Sequence, residues 1–245
     1  MKKPESRSIA GALLMILIVP LFAGLMACMP VPIGDPERSR IDPEISGVWF
    51  LEYEEGDLNG IYQMRPYDKR TWLLIGVPVE EGVSYTGEPL DIQSTDDAIA
   101  ALEQLDVGAE GLTANATAIY KVWLAKLGGQ VFMTWEMLGG FDEDGFYGPE
   151  AWLVFRVEKR GKDLIELFWV EAGHDVFDEL EEPARGYQGH NFPRDVRRKW
   201  ERALKKAARN VDDDDLYGGP WVLRRVPDNL LDDAASLFEE VIANE

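Results

Sequence analysis

Seven runs rich in aromatic and β-branched residues, joined by short links, dominate the sequence between residues 45 and 171. In the first run Trp49, Leu51 and Tyr53 alternate with their neighbours, which places them on one face of a strand. Gly128-Gly129 indicates a hairpin, although residues 116–127 alone are also compatible with a helix. Such a chain forms a mainly antiparallel sheet, curled or closed into a barrel, because a flat sheet would leave its edges exposed. The predicted strands cover residues 45–53, 61–67, 71–79, 116–126, 131–138, 151–158 and 163–171, with turns at 56–60 and 68–69.

Helical patterns flank this strand-rich part. Ser94 and Asp97 form a capping box, and the apolar residues that follow at helical spacing predict a short helix at the edge of the sheet. Residues 191–245 predict a helical C-terminal part, with a basic helix after Pro193, one more strand at 221–226 and a closing helix after Pro227. The predicted class is therefore α+β with a mainly antiparallel β domain.

The N-terminus carries an apolar run, residues 9–26, behind Lys2, Lys3 and Arg7. It ends in Leu25-Met26-Ala27-Cys28, which resembles the lipobox of bacterial lipoproteins. That resemblance implies that residues 1–27 are a signal peptide and that the Cys28 thiol carries a diacylglycerol, a palmitate-type anchor. Met29, where the family's inner-membrane members have aspartate, implies the outer membrane of a Gram-negative bacterium. Because 18 apolar residues also approach the minimum for a bilayer span, an uncleaved transmembrane anchor is the alternative.

Residues 28–43 contain four prolines and show no periodicity. This composition predicts a semi-extended tether between the bilayer and a single domain at residues 44–245.

The chain has 45 acidic and 25 basic residues, a formal net charge of −20. Such a surface repels phosphates, so we expect no nucleic acid partner. Cys28 is the single cysteine, so neither a disulfide nor a thiolate metal site is expected.

Two segments show a limited resemblance to the lipocalins: Gly47-Val48-Trp49 on the first strand, and Trp221 to Arg225 on a late strand. The resemblance implies a lipocalin-like barrel in which Arg224 or Arg225 covers the Trp49 ring and closes one barrel end. In lipocalins the large helix follows the last barrel strand, whereas here a helix precedes it.

Motifs for common catalytic chemistry are absent from the sequence. His174 and His190 lack partners at metal-ligand spacing, and no nucleophile elbow, P-loop or dinucleotide fingerprint occurs. The acidic runs 142–145 and 212–215 do not match a calcium-binding EF-hand and indicate solvated turns. No cofactor and no metal are expected.

The helix predicted at 194–209 differs most in charge from the rest of the chain. It has eight basic residues and two acidic ones, Asp195 and Glu201. It could contact an anionic lipid surface, or it could pair with the protein's own acidic surface, which is the interpretation that the overall charge favours. The basic residues are Arg194, Arg197, Arg198, Lys199, Arg202, Lys205, Lys206 and Arg209.

Together these patterns predict a lipid-anchored envelope protein with a non-enzymatic binding or scaffold domain. Its partner would be an apolar ligand in an aromatic-lined cavity or another envelope protein. The alternative is a hydrolase that uses carboxylates alone, such as a glycosidase.

Overall fold

A computed structural model describes residues 28–53, 58–78, 117–142, 145–147, 152–180, 192–209 and 215–230. The predicted edge helix after Ser94, the part of the predicted closing helix beyond Leu230, His190 and the predicted signal peptide lie outside these residues. The strands are β1 (Cys28–Met29), β2 (Gly47–Glu52), β3 (Leu58–Pro66), β4 (Trp72–Pro78), β5 (Thr117–Leu127), β6 (Gln130–Asp142), β7 (Gly145–Tyr147), β8 (Trp152–Lys159), β9 (Leu164–Val170) and β10 (Tyr217–Arg225).

Eight of the strands form a closed antiparallel barrel. β2 to β6 pair in chain order, β8 to β10 continue the sheet, and β10 pairs with β2. The barrel closes where β6 pairs with β8, with Phe132 opposite Arg156 and Glu136 opposite Trp152. The structure therefore confirms the mainly antiparallel β class and selects the barrel over the open curled sheet. β1 adds to β8, and β7 adds to the end of β6.

The hairpins follow the turn chemistry of the sequence. Gly128 and Gly129 have φ values of 63° and 94°, conformations that glycine adopts without steric cost, and they join β5 to β6. These residues confirm the hairpin and exclude the helix at 116–127. In the β3–β4 turn the Asp68 carboxylate accepts bonds from the N–H groups of Arg70 (2.7 Å) and Thr71 (2.8 Å). The predicted turn at 56–60 was too long, because β3 already begins at Leu58.

Large side chains from alternate positions of the strands fill the barrel interior. Trp135 lies at the centre, 1% exposed, with its ring centroid 5.5 Å from that of Tyr120, 4.9 Å from Phe155 and 6.4 Å from Trp221. Distances in this range are those of aromatic rings in contact. Aromatic residues of the barrel therefore pack against one another in the inner core.

A second core lies on the outside of the barrel, beneath a helix. Helix α1 (Arg194–Ala207) confirms the helix predicted after Pro193 and buries Trp200 and Leu204. The Trp200 ring stacks on Phe177 with 5.0 Å between centroids. This cluster also contains outward-facing barrel residues such as Phe132 and Val154.

Residues 29–45, which we call the strap, are not the predicted tether. Met29, Val31 and Ile33 are each at most 1% exposed and belong to the outer core. The strap runs along the outside of the barrel from β1 and then crosses the end at which β2 begins, which we call the strap end. The prolines suggested a spacer, but the alternation of apolar side chains at 29, 31 and 33 gives this segment a buried face.

Three barrel tryptophans hold the strap through their indole N–H groups. Trp123 donates to the Ile33 carbonyl (2.8 Å) and Trp49 to the Ile45 carbonyl (2.9 Å). Trp72 donates to the Ser46 hydroxyl, just beyond the strap (3.1 Å). Buried indoles need such partners, so both sides of each contact are satisfied.

Candidate functional site

Arg225 closes the strap end over the first barrel tryptophan. Its guanidinium lies 4.1 Å from the Trp49 ring centroid, a cation–π contact, and it donates to the Ser46 and Lys162 carbonyls at 3.1 Å. A Cβ atom on Gly47 would approach the Arg225 guanidinium to 2.4 Å, and Gly47 has a φ of 142°. The glycine of the Gly-x-Trp triplet therefore makes room for the arginine that covers the tryptophan.

Arg224 does not take part in this closure. It points to the outside of the barrel, where its guanidinium pairs with the buried Glu52 carboxylate at 3.2 Å. Of the two arginines considered from the sequence, Arg225 is the one that covers Trp49.

A groove of about 880 Å³ opens beside this closed end. The strap forms one wall, the β5–β6 hairpin and the end of β8 form the floor, and the first turns of α1 form the other wall. The lining residues are Gly34, Asp35, Arg38, Ser39, Arg40, Ile41, Asp42, Pro43, Ile45, Leu124, Ala125, Lys126, Leu127, Val131, Val157, Lys159, Arg194, Arg197, Arg198 and Glu201.

The lining of the groove is basic, in contrast to the rest of the chain. It has seven cationic side chains and three carboxylates, whereas the whole chain has a net charge of −20. Within a concave site, charges of one sign reinforce one another and raise the local concentration of counter-ions. The groove is therefore a region of concentrated positive charge on an acidic protein. Its cationic residues are Arg38, Arg40, Lys126, Lys159, Arg194, Arg197 and Arg198.

Two of the three carboxylates attach α1 to the strap. Asp35 accepts from the buried Arg197 at 3.0 Å and lies 3.8 Å from Arg194. Glu201 accepts the Gly34 N–H at 3.1 Å, where a Cβ on residue 34 would meet Ala125 at 2.5 Å. These contacts fix the width of the groove, since they join its two walls.

The third carboxylate belongs to an ion-pair cluster at the edge of the strap. Lys159 at the end of β8 pairs with Glu44 and, at 3.1 Å, with Asp42. The bond to Glu44 raises the pKa of Lys159, partial burial opposes the change, and Asp42 adds to the increase.

Several cations of the groove have no carboxylate partner among the described residues. In the part of the chain that the structure describes, no carboxylate lies within 4.0 Å of Arg40, Lys126 or Arg198. Arg38 is 3.6 Å from Asp35 but has a side chain 67% exposed, which makes that pair weak. These four side chains can therefore neutralise an incoming anion without first breaking a strong internal pair.

No family model, curated protein or solved structure matches this chain. The groove is accordingly assigned from its own geometry and charge.

The other predicted residues have structural roles or lie outside the described part. The His174 side chain caps a short 3-10 helix (Asp175–Phe177) by accepting the Val176 N–H at 3.1 Å. Among the described residues there is no group of three His, Cys, Asp or Glu side chains arranged to hold a metal ion. Within the same residues no helix has the length and apolar character needed to cross a bilayer. The core of the acidic run 212–215 lies outside them.

The sequence revealed only part of this site. The charge pattern predicts the basic helix and treats Arg197 as one of its surface cations. In the structure Arg197 is 6% exposed and forms an ion pair with Asp35. Its position three residues before Trp200 and seven before Leu204, both buried, was the available signal. Arg38, Arg40, Lys126 and Lys159 carry no local motif, because they come together only when the strap crosses the barrel end.

Proposed function

We propose that this protein is a lipid-anchored protein of the cell envelope whose domain binds an anionic ligand in the basic groove and has no catalytic role. The observation that supports the anionic ligand is the basic lining of the groove on a chain with 45 acidic residues. A site that opposes the overall charge gives selectivity, since anions are attracted there and repelled elsewhere.

The anchor in this proposal is a diacylglycerol on Cys28, and the location is the outer membrane of a Gram-negative bacterium. The support is the lipobox-like sequence before Cys28. Met29 is 1% exposed, so an anchor at Cys28 would hold the domain directly at the bilayer without a spacer. Cys28 pairs with Leu153, and the groove begins near Lys159, about 20 Å farther along β8 at roughly 3.3 Å per residue.

The other candidate ligands have less support. An apolar ligand needs space in the barrel, but the rings around Trp135 occupy the interior and contact one another. A carboxylate-based hydrolase such as a glycosidase needs two acids facing a shared substrate. The three acids of the groove instead hold Arg197, Gly34 and Lys159. We also propose that the likeness to lipocalins is one of shape, with the strap end as the closed end of the barrel.

Ligand binding in the groove is tested with inorganic tripolyphosphate, titrated into the full mature protein in neutral detergent. We expect the triple variant Arg38→Ala, Arg40→Ala, Lys126→Ala to bind at least about tenfold more weakly, because phosphate affinity comes mainly from the charges that it neutralises. The matched control removes three exposed cations from the β3–β4 region at the same barrel end, through Arg65→Ala, Lys69→Ala and Arg70→Ala. It should bind as the wild type does. Equal weakening by both triple variants would mean that the affinity depends only on net charge, and the groove would then not be the binding site.

Lipidation is tested by growing the host with labelled palmitate. Wild-type protein should take up the label and lose residues 1–27, whereas Cys28→Ala should remain unlabelled. Equal labelling of the two proteins, or mature protein that retains Met1, would reject the anchor while leaving the groove untouched.

A further inference from the structure

Helix α1 and the turn that follows it display a row of cations on their exposed side. Arg194, Arg198, Arg202, Lys205 and Arg209 follow one another at intervals of four, four, three and four residues, and all five are exposed. Residues at this spacing lie on one side of a helix. We call these five residues the basic stripe. At about 1.5 Å per residue its helical part, from Arg194 to Lys205, extends roughly 17 Å, with neighbouring charges about 6 Å apart, and Arg209 lies just beyond the end of the helix.

The buried arginine of the helix, Arg197, has a carboxylate partner, whereas the side chains of the basic stripe are exposed to solvent. Arg197 has Asp35 at 3.0 Å, whereas of the stripe only Arg194 has a carboxylate within 4.0 Å among the described residues, Asp35 at 3.8 Å. Arg202 donates instead to the Arg198 carbonyl within the helix, at 3.1 Å. The interpretation that the basic helix pairs with the protein's own acidic surface therefore holds for its buried side and not for the stripe.

The stripe and the groove are continuous. Arg194 and Arg198 belong to both, so the positive charge of the groove extends out along the helix. A small anion would use the groove alone. A flat bilayer would meet the stripe but could not enter the concave groove, where Arg40 and Lys126 lie. An extended chain that carries regularly spaced negative charges would contact both.

We propose that the groove and the basic stripe form one site for a linear polyanion, a polymer with phosphate or other anionic groups along its length. This inference rests on the proposed function and adds the ligand class. The polymer enters the groove at Arg38 and Arg40 and lies along α1 to Arg209. The acidic surface elsewhere keeps it from spreading over the rest of the domain.

The test compares inorganic polyphosphates of about three and about twenty phosphates with the full mature protein in neutral detergent, at several salt concentrations. The long chain should bind at least about tenfold more tightly at equal phosphate concentration, because only it can reach the far end of the stripe. The double variant Lys205→Gln, Arg209→Gln should remove most of this gain and reduce the slope of log affinity against log salt by about two for the long chain. Binding of the short chain should not change.

The matched control neutralises two exposed cations on another side of the same helix, Lys199→Gln and Lys206→Gln. It should keep the preference for the long chain. Equal affinity for both chain lengths, or equal losses from both double variants, would overturn the polymer site while the groove triple variant still defines an anion site. If anionic vesicles bind through Lys205 and Arg209 and long polyphosphate does not, the stripe is a membrane contact and the inference is wrong. If neither polyphosphate binds, the proposed function fails as well.

Discussion

Val31→Asp is expected to lower the free energy of unfolding by about 3–5 kcal/mol, because it places a carboxylate at a fully buried position without a partner. Val31 is 0% exposed and packs in the outer core between the barrel and α1. The structure can avoid burying the charge by protonating the carboxyl group, which also costs free energy at neutral pH, or by releasing the strap. Release would expose Met29 and Ile33 as well, at about 1.5–3 kcal/mol for each apolar side chain. Denaturant unfolding followed by tryptophan fluorescence measures the loss.

Limited proteolysis shows whether the strap itself has been released. Arg38 and Arg40 lie in the strap, so trypsin should cut there faster in Val31→Asp than in the wild type. Glu37→Ala is the control, because Glu37 is an exposed residue of the same segment and its substitution should change stability by less than about 0.5 kcal/mol. If the two variants were equally stable, residues 29–45 would be a spacer after all.

Trp135→Ala should destabilise the protein by about 3–5 kcal/mol, since it leaves a large cavity in a core that cannot collapse around it. The Trp135 ring contacts rings from four other strands of the closed barrel. They are those of Tyr62, Tyr120, Phe155 and Trp221. Strands hydrogen-bonded on both edges cannot move inward to fill the space. For a chain of this size we expect a melting temperature lower by about 10 °C. Differential scanning calorimetry gives this value.

Trp135→Phe separates the volume of the ring from its polar group. The indole N–H of Trp135 has no hydrogen-bond acceptor among the described residues, so its removal should cost little. We therefore expect a loss of less than about half that of Trp135→Ala, which comes from the smaller ring alone. A loss as large as that of the alanine variant would show that the N–H has an acceptor on which the core depends.

Much of the barrel could be predicted because its signals are local. Alternation at Trp49 and Leu51 and the glycine pair at Gly128 reveal strands and a hairpin without any knowledge of the rest of the chain. Closure could not be predicted, because it depends on the pairing of β6 with β8, which no local pattern specifies. The strap shows the opposite case. Its apolar residues alternate at positions 29, 31 and 33, but the prolines among them are more typical of an extended spacer.

The candidate site was less predictable than the fold. Residues three or four positions apart lie on one side of a helix, so the basic stripe can be predicted from the spacing of Arg198, Arg202 and Lys205. The groove combines that helix with Arg40 of the strap and Lys126 of a hairpin, residues that only the tertiary structure brings together. The positive charge of the site can therefore be predicted from the sequence, whereas its concave shape cannot.

The pairing of β2 with β10 has a consequence for how the chain folds. Glu52 and Arg224, which pair across this seam, are 172 positions apart in the chain. A folding chain therefore leaves one edge of β2 uncovered until β10, near the other end of the described chain, docks against it. Contacts so distant in sequence form slowly, and unpaired edges invite aggregation in the meantime. Chains that end before β10 would keep this edge of β2 unpaired, and we expect them to aggregate more readily than the full chain.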